Sequence, residues 1–69
     1  MPLTLVRPGE SGLIKKVGGK METRLFLENL GFLPGSQVSV ITRIGGNVIV
    51  EIKGSRIAVN SDMAAKIMV

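Results

Sequence analysis

Residues 28–40, ENLGFLPGSQVSV, contain the change of period that decides the fold. Up to Leu30 the apolar residues recur at helical spacing, and from Gly35 onward they alternate. Gly31 stands where a C′ glycine closes a helix in the left-handed conformation, and Pro34 follows shortly after, as helix stops favour. Pro34-Gly35 then turns the chain into a strand in which Val38 and Val40 point one way and Gln37 and Ser39 the other.

Upstream, Lys20 to Leu30 is built mostly of good helix formers. At about 100° per residue, Thr23, Phe26, Leu27 and Leu30 share one face, which is expected to meet the core. Met21 and Leu25 fall on the other side, beside Arg24, Glu28 and Asn29.

Downstream, Gly45-Gly46-Asn47 is a hairpin turn between β-formers. Val48, Val50 and Ile52 alternate with Ile49, Glu51 and Lys53. Lys53-Gly54-Ser55-Arg56 is a second tight turn, after which Ile57 and Val59 alternate with Ala58 and Asn60. Ser61 is the expected N-cap of one helical turn, and Ile67 to Val69 a closing strand. At the other end, Leu3 to Val6 and Leu13 to Val17 read as two strands around the turn-rich stretch Arg7 to Gly12. The expectation is mainly β: five or six short strands, one inserted α-helix and a late helical turn. Open edges invite aggregation, so a sheet of this size is expected to close into a small SH3-like barrel.

The chain has 69 residues, no cysteine and no histidine, and 45% of it is apolar. One domain, 1–69, is expected, with a marginal core held by aliphatic packing alone. Without Cys or His the commonest zinc ligands are missing, and the carboxylates Glu10, Glu22, Glu28, Glu51 and Asp62 are scattered. No metal site and no cofactor site is expected. Gly19-Lys20 does not fit a phosphate loop, because Ile14 stands where its first glycine belongs. The serines have no histidine to act as base, so an enzyme is not expected. Phe26 and Phe32 are the only aromatics, too few for a polyproline groove or a base-stacking platform. The net charge of +4 is a mild bias toward acidic partners, and nucleic-acid binding is not expected. The N-terminus lacks the pattern of a signal peptide and no run is long enough to span a bilayer, so the expectation is a cytoplasmic protein without membrane insertion.

The run Arg24-Leu-Phe-Leu27-Glu-Asn-Leu30-Gly31-Phe-Leu-Pro34-Gly35 resembles the R-x-x-L-x-x-L-G-h-x-P-G signature of the ferrous iron transport protein A (FeoA) family, h being apolar. Pro8-Gly9-Glu-Ser-Gly12 before Ile14 and Val17 looks like that family's opening, and Ala64 with Ile67 and Val69 like its ending. The chain departs from the pattern at Ile44-Gly45-Gly46-Asn47, where prolines are frequent, and at Asn60, where an arginine is usual. The resemblance implies a small accessory protein of ferrous iron uptake that binds the cytoplasmic, G-protein-containing part of a large ferrous iron permease. Met21, Arg24, Leu25, Glu28 and Asn29 would be its partner-binding residues. Arg24 is the candidate for an arginine acting in trans on the G domain, against the plainer reading of a solvated helix arginine. Leu27, Leu30, Gly31, Pro34 and Gly35 would be the structural motif. The same barrel occurs at the C-terminus of iron-dependent repressors, so the alternative is a stand-alone relative of that regulatory module. The plain alternative for Met21 and Leu25 is cover by a neighbouring loop or by the C-terminal strand.

Overall fold

The computed structural model describes residues 1–69. In chain order it contains a 3-10 turn (Leu3–Leu5), β1 (Ser11–Leu13), β2 (Lys16–Val17), α1 (Met21–Asn29), β3 (Gln37–Ile44), β4 (Asn47–Ile52), β5 (Ser55–Asn60), α2 (Ser61–Ala64) and β6 (Ile67–Met68). A four-stranded antiparallel sheet has the order β1-β3-β4-β5, and β2 pairs with β6 in a second, two-stranded sheet. The architecture is a small SH3-like barrel with six strands.

Alternation sets the core. Val40 lies opposite Val50, Val38 opposite Ile52, and Val48 opposite Val59; all six are buried. Two-residue turns hold that register. Lys53 and Gly54 take φ values of +50° and +80°, as a type I′ hairpin requires. Between Val40 and Thr42 a bulge adds one residue to β3. Period 2 would put Thr42 in phase with Val40; the bulge puts Arg43 there instead, opposite Val48. The Arg43 guanidinium then donates to the Thr4 carbonyl and, at 2.8 Å, to the Val6 carbonyl. It thereby ties the 3-10 turn across the end of the sheet.

Four expectations are corrected here. Leu3–Leu5 is a 3-10 turn, not a strand; Val6 N–H donates to Leu3 O at 3.0 Å and Leu3 is buried as a plug. Leu13 to Val17 is not one strand. The chain switches sheets at buried Ile14: Ile14 N–H donates to Ser36 O (2.9 Å) beside β3, and Lys15 N–H to Met68 O (2.7 Å) beside β6. This switch makes a barrel corner. The N-cap of α2 is Asn60, whose Oδ1 accepts from Met63 N–H at 2.8 Å, while the Ser61 hydroxyl donates to Gly46 O. Finally, Phe26 does not face the core. It is 49% exposed, and Phe32 is the fully buried aromatic.

The last correction follows from how α1 ends. Gly31 has φ +109°. Its N–H donates to Glu28 O (2.9 Å), and Phe32 N–H reaches back to Leu27 O (3.0 Å). These are the two bonds of a Schellman cap. The cap folds Phe32 back toward Leu27, with which it shares the buried core cluster. With Phe32 filling that space, the nine-residue helix needs only Leu27 and half-buried Leu30 and Thr23 on its inner side.

The barrel is not closed by a continuous ladder. Between β5 and β6 the wall is completed by α2 and the 3-10 turn, which pack on each other and on the sheet. Strands of two residues, such as β2 and β6, have too few ladder bonds to close it. Ala64 and Leu3, both fully buried, fill the opening instead.

Candidate docking surface and basic cleft

All fourteen buried side chains are apolar, and no polar side chain is buried. Every charged group is therefore available at the surface. No three acidic residues come together as a metal cage would require.

Two features adjoin on one side of the molecule. The first is the crest of α1. Taking Met21 as zero on the helical wheel, Leu25 lies at about 40°, while Leu27, Thr23 and Leu30 cluster near 180–240°. Met21 and Leu25 are thus diametrically opposite the core, and they are 72% and 52% exposed. Neither a loop nor β6 covers them. Asn29 lies on one flank, exposed; Arg24 and Glu28 lie on the other. Phe26 stands on the Asn29 flank, near the barrel, and widens the apolar surface beyond what the wheel alone assigned to it.

The second feature is a cleft of about 420 Å³ along the Arg24 flank. Its helix wall is Arg24 and Glu28. The rest of its lining is the sheet-switching segment, Lys15 to Gly19, and Pro34. Gly19 has φ +95°, and a Cβ there would lie 2.7 Å from Lys66 Cδ. The lysine stem therefore lies on the glycine, and a fourth cation borders the rim. Gly35, at φ +89°, directs its N–H to Ile14 O at 2.7 Å. That bond ties the Pro34 turn to the switch at Ile14.

Of the five residues expected to bind a partner, Met21 and Leu25 form the crest, Arg24 and Glu28 line the cleft, and Asn29 stands apart on the opposite flank. Lys15 and Lys16 belong beside them, but in the sequence they fall inside the expected strand Leu13 to Val17. A period-2 strand would have sent them to opposite sides. The switch at Ile14 is what brings both to one cleft, and no local sequence signal marks it.

The model of the FeoA domain family matches residues 1–69. A protein of Methanocaldococcus jannaschii named "Putative Fe(2+) transport protein A" is 37% identical over 68 residues, covering 99% of this chain and 83% of that one. Among solved structures, an iron uptake regulatory protein (FeoA) superposes with a TM-score of 0.90 at 28% identity, over 99% of this chain and 92% of that one. A manganese-dependent transcriptional repressor shares the fold with a TM-score of 0.88 at 20% identity; the match takes in 97% of this chain but 39% of the repressor.

Proposed function

We propose, from the premise that this chain belongs to the FeoA domain family, that it is a small cytoplasmic accessory protein of ferrous iron uptake. It acts by binding, as one domain of residues 1–69, and not by catalysis. Its partner is the cytoplasmic, G-protein-containing region of the ferrous iron permease. The docking face is the crest of α1, with Met21 and Leu25 as apolar contacts and Arg24, Glu28 and Asn29 as the polar surround.

One observation carries this reading. Two large apolar side chains stand exposed one helical turn apart, opposite the side of α1 that holds it to the barrel. Apolar centres with polar rims are the anatomy of protein interfaces. Burying such a side chain in a partner is worth about 1.5–3 kcal/mol.

The test is a Met21→Ser/Leu25→Ser double substitution, assayed by titration against the purified cytoplasmic region of the permease. Binding is expected to weaken by about 1–3 kcal/mol for the central leucine alone. The melting temperature should barely move, since exposed positions usually change stability by less than about 0.5 kcal/mol. Undiminished binding by a folded double variant would move the docking face elsewhere, the Gly45-Gly46 hairpin tip being the next place to test.

The fold shared with the repressor supports a second reading, a regulatory interaction module like a repressor's SH3-like domain. In that case the intact chain binds a repressor-type helical domain in the same titration and leaves the permease region untouched.

A further inference from the structure

The cleft beside α1 differs in chemistry from the crest. Three cations, Lys15, Lys16 and Arg24, are among the lining residues, with a single carboxylate, Glu28. None of these cations is paired: the one ion pair of the chain, Arg56 Nε to Glu51 Oε2 at 3.9 Å, lies between β5 and β4 in the four-stranded sheet. Like charges gathered in a concave surface without counter-charges focus a positive potential there and attract anions.

The shape and lining narrow the anion. The cleft is an open groove whose volume of about 420 Å³ has room for more than one anionic group. A lone phosphate or carboxylate would leave the cleft largely water-filled. No aromatic lines it, so a nucleotide base finds nothing to stack on. Val17 and Pro34 supply small apolar walls only. An extended acidic segment fits these conditions: it fills length as well as charge.

The position argues for the same occupant. Arg24 and Glu28 belong both to the cleft wall and to the flank of the Met21–Leu25 crest. A chain that lays apolar side chains on the crest therefore has its neighbouring residues over the cleft. We infer that the cleft is the acidic half of the docking site: it takes an extended, Asp/Glu-rich segment of the protein partner whose apolar residues sit on α1. This rests on the reading of α1 as a docking face, which it deepens by stating the charge and the conformation of the partner.

The intact chain, labelled with nitrogen-15, tests this in two titrations. In the first, a capped hexaglutamate peptide is added at low salt, with inorganic phosphate at matched ionic strength as the comparison. Amide shifts are expected at Lys15 to Gly19, Arg24 and Glu28 with the peptide. They should be lost in a Lys15→Glu/Lys16→Glu variant, whose substituted side chains are exposed. If that variant melts early, Lys15→Gln/Lys16→Gln takes its place. Shifts spread evenly over Arg7, Lys53 and Arg56 would show charge attraction without a site and overturn the inference. Equal or stronger shifts with phosphate would assign the cleft to a small anion and overturn it as well. The second titration uses the cytoplasmic region of the permease. Reversing both lysines is expected to weaken binding roughly tenfold and to flatten its salt dependence. Binding that the lysine variant keeps and the Met21→Ser/Leu25→Ser variant loses would uphold the crest and remove the cleft. Peptide binding in the cleft with no permease binding at all would uphold the chemistry of the cleft and overturn the choice of partner.

Discussion

Replacing Gly31 by alanine isolates the helix stop that carries the fold. The backbone there has φ +109°, and a Cβ would meet only Lys53 Cδ at 3.6 Å, an ordinary contact with a flexible stem. Sterics outside the backbone therefore contribute nothing, and the whole cost is conformational. An L-residue held in the left-handed region costs about 1–2 kcal/mol. The chain cannot escape that cost by relaxing. Leaving φ +109° breaks the bonds from Gly31 N–H to Glu28 O and from Phe32 N–H to Leu27 O. It also lifts Phe32 out of the core, a loss in the range of about 3–5 kcal/mol. The strained cap is the cheaper state, so Gly31→Ala should fold with its structure intact and its stability reduced. Alanine also stiffens the unfolded chain, which by itself stabilises by about 0.4–1 kcal/mol. Gly46→Ala cancels that contribution. Gly46 lies outside the left-handed region and has nothing within 4 Å of its Cβ position. The difference between the two variants is then about 1–2 kcal/mol. For a domain of this size each kcal/mol is worth about 4–8 °C. Thermal unfolding followed by circular dichroism should place Gly31→Ala at least ~4 °C below Gly46→Ala. Equal midpoints would refute the left-handed cap as the reason for this glycine.

Two further outcomes follow from the corrected core. Phe32→Ala should cost about 3–5 kcal/mol, enough to unfold much of the population, whereas Phe26→Ala, half in solvent, should cost less than about 1 kcal/mol; urea unfolding of both separates them, and a reversed order would put the aromatics the other way round. Asn60→Ala removes the cap on Met63 N–H and should cost about 1 kcal/mol, measured by the same method, with Asn60→Asp restoring most of it because a carboxylate oxygen also accepts that bond.

The helix, its glycine stop and the long hairpins were legible because each is decided by contacts near in sequence. Gly31 is required by the dihedral of one residue. The Gly45-Gly46 and Lys53-Gly54 turns set register through two residues each, and the alternation of valines and isoleucines fixes which side of β3 and β4 is dry. Family membership was legible for the same reason, since its signature runs over the helix, the stop and the turn from Arg24 to Gly35.

Other features depend on groups far apart in the chain. Phe26 and Phe32 both suit the inner side of α1, and a helical wheel ranks Phe26 first because it stops at the helix end; only the cap, which turns Phe32 back onto Leu27, settles which ring is buried. Leu3–Leu5 is β-like in composition, yet the Arg43 guanidinium from β3 satisfies its free carbonyls and lets it coil. The apolar crest of α1 was foreseeable from periodicity, because Met21 and Leu25 lie diametrically opposite Leu27 and Leu30 on the helix. The basic cleft was not. Lys15 and Lys16 line one hollow with Arg24 where the chain changes partner at Ile14, from Ser36 on one side to Met68 on the other, and those partners are more than twenty and fifty residues away. The sequence by itself determined α1, the stop that ends it and the hairpins of β3, β4 and β5. The tertiary structure decided where the charges meet, because a strand's pairing partners, unlike its dihedrals, are not local.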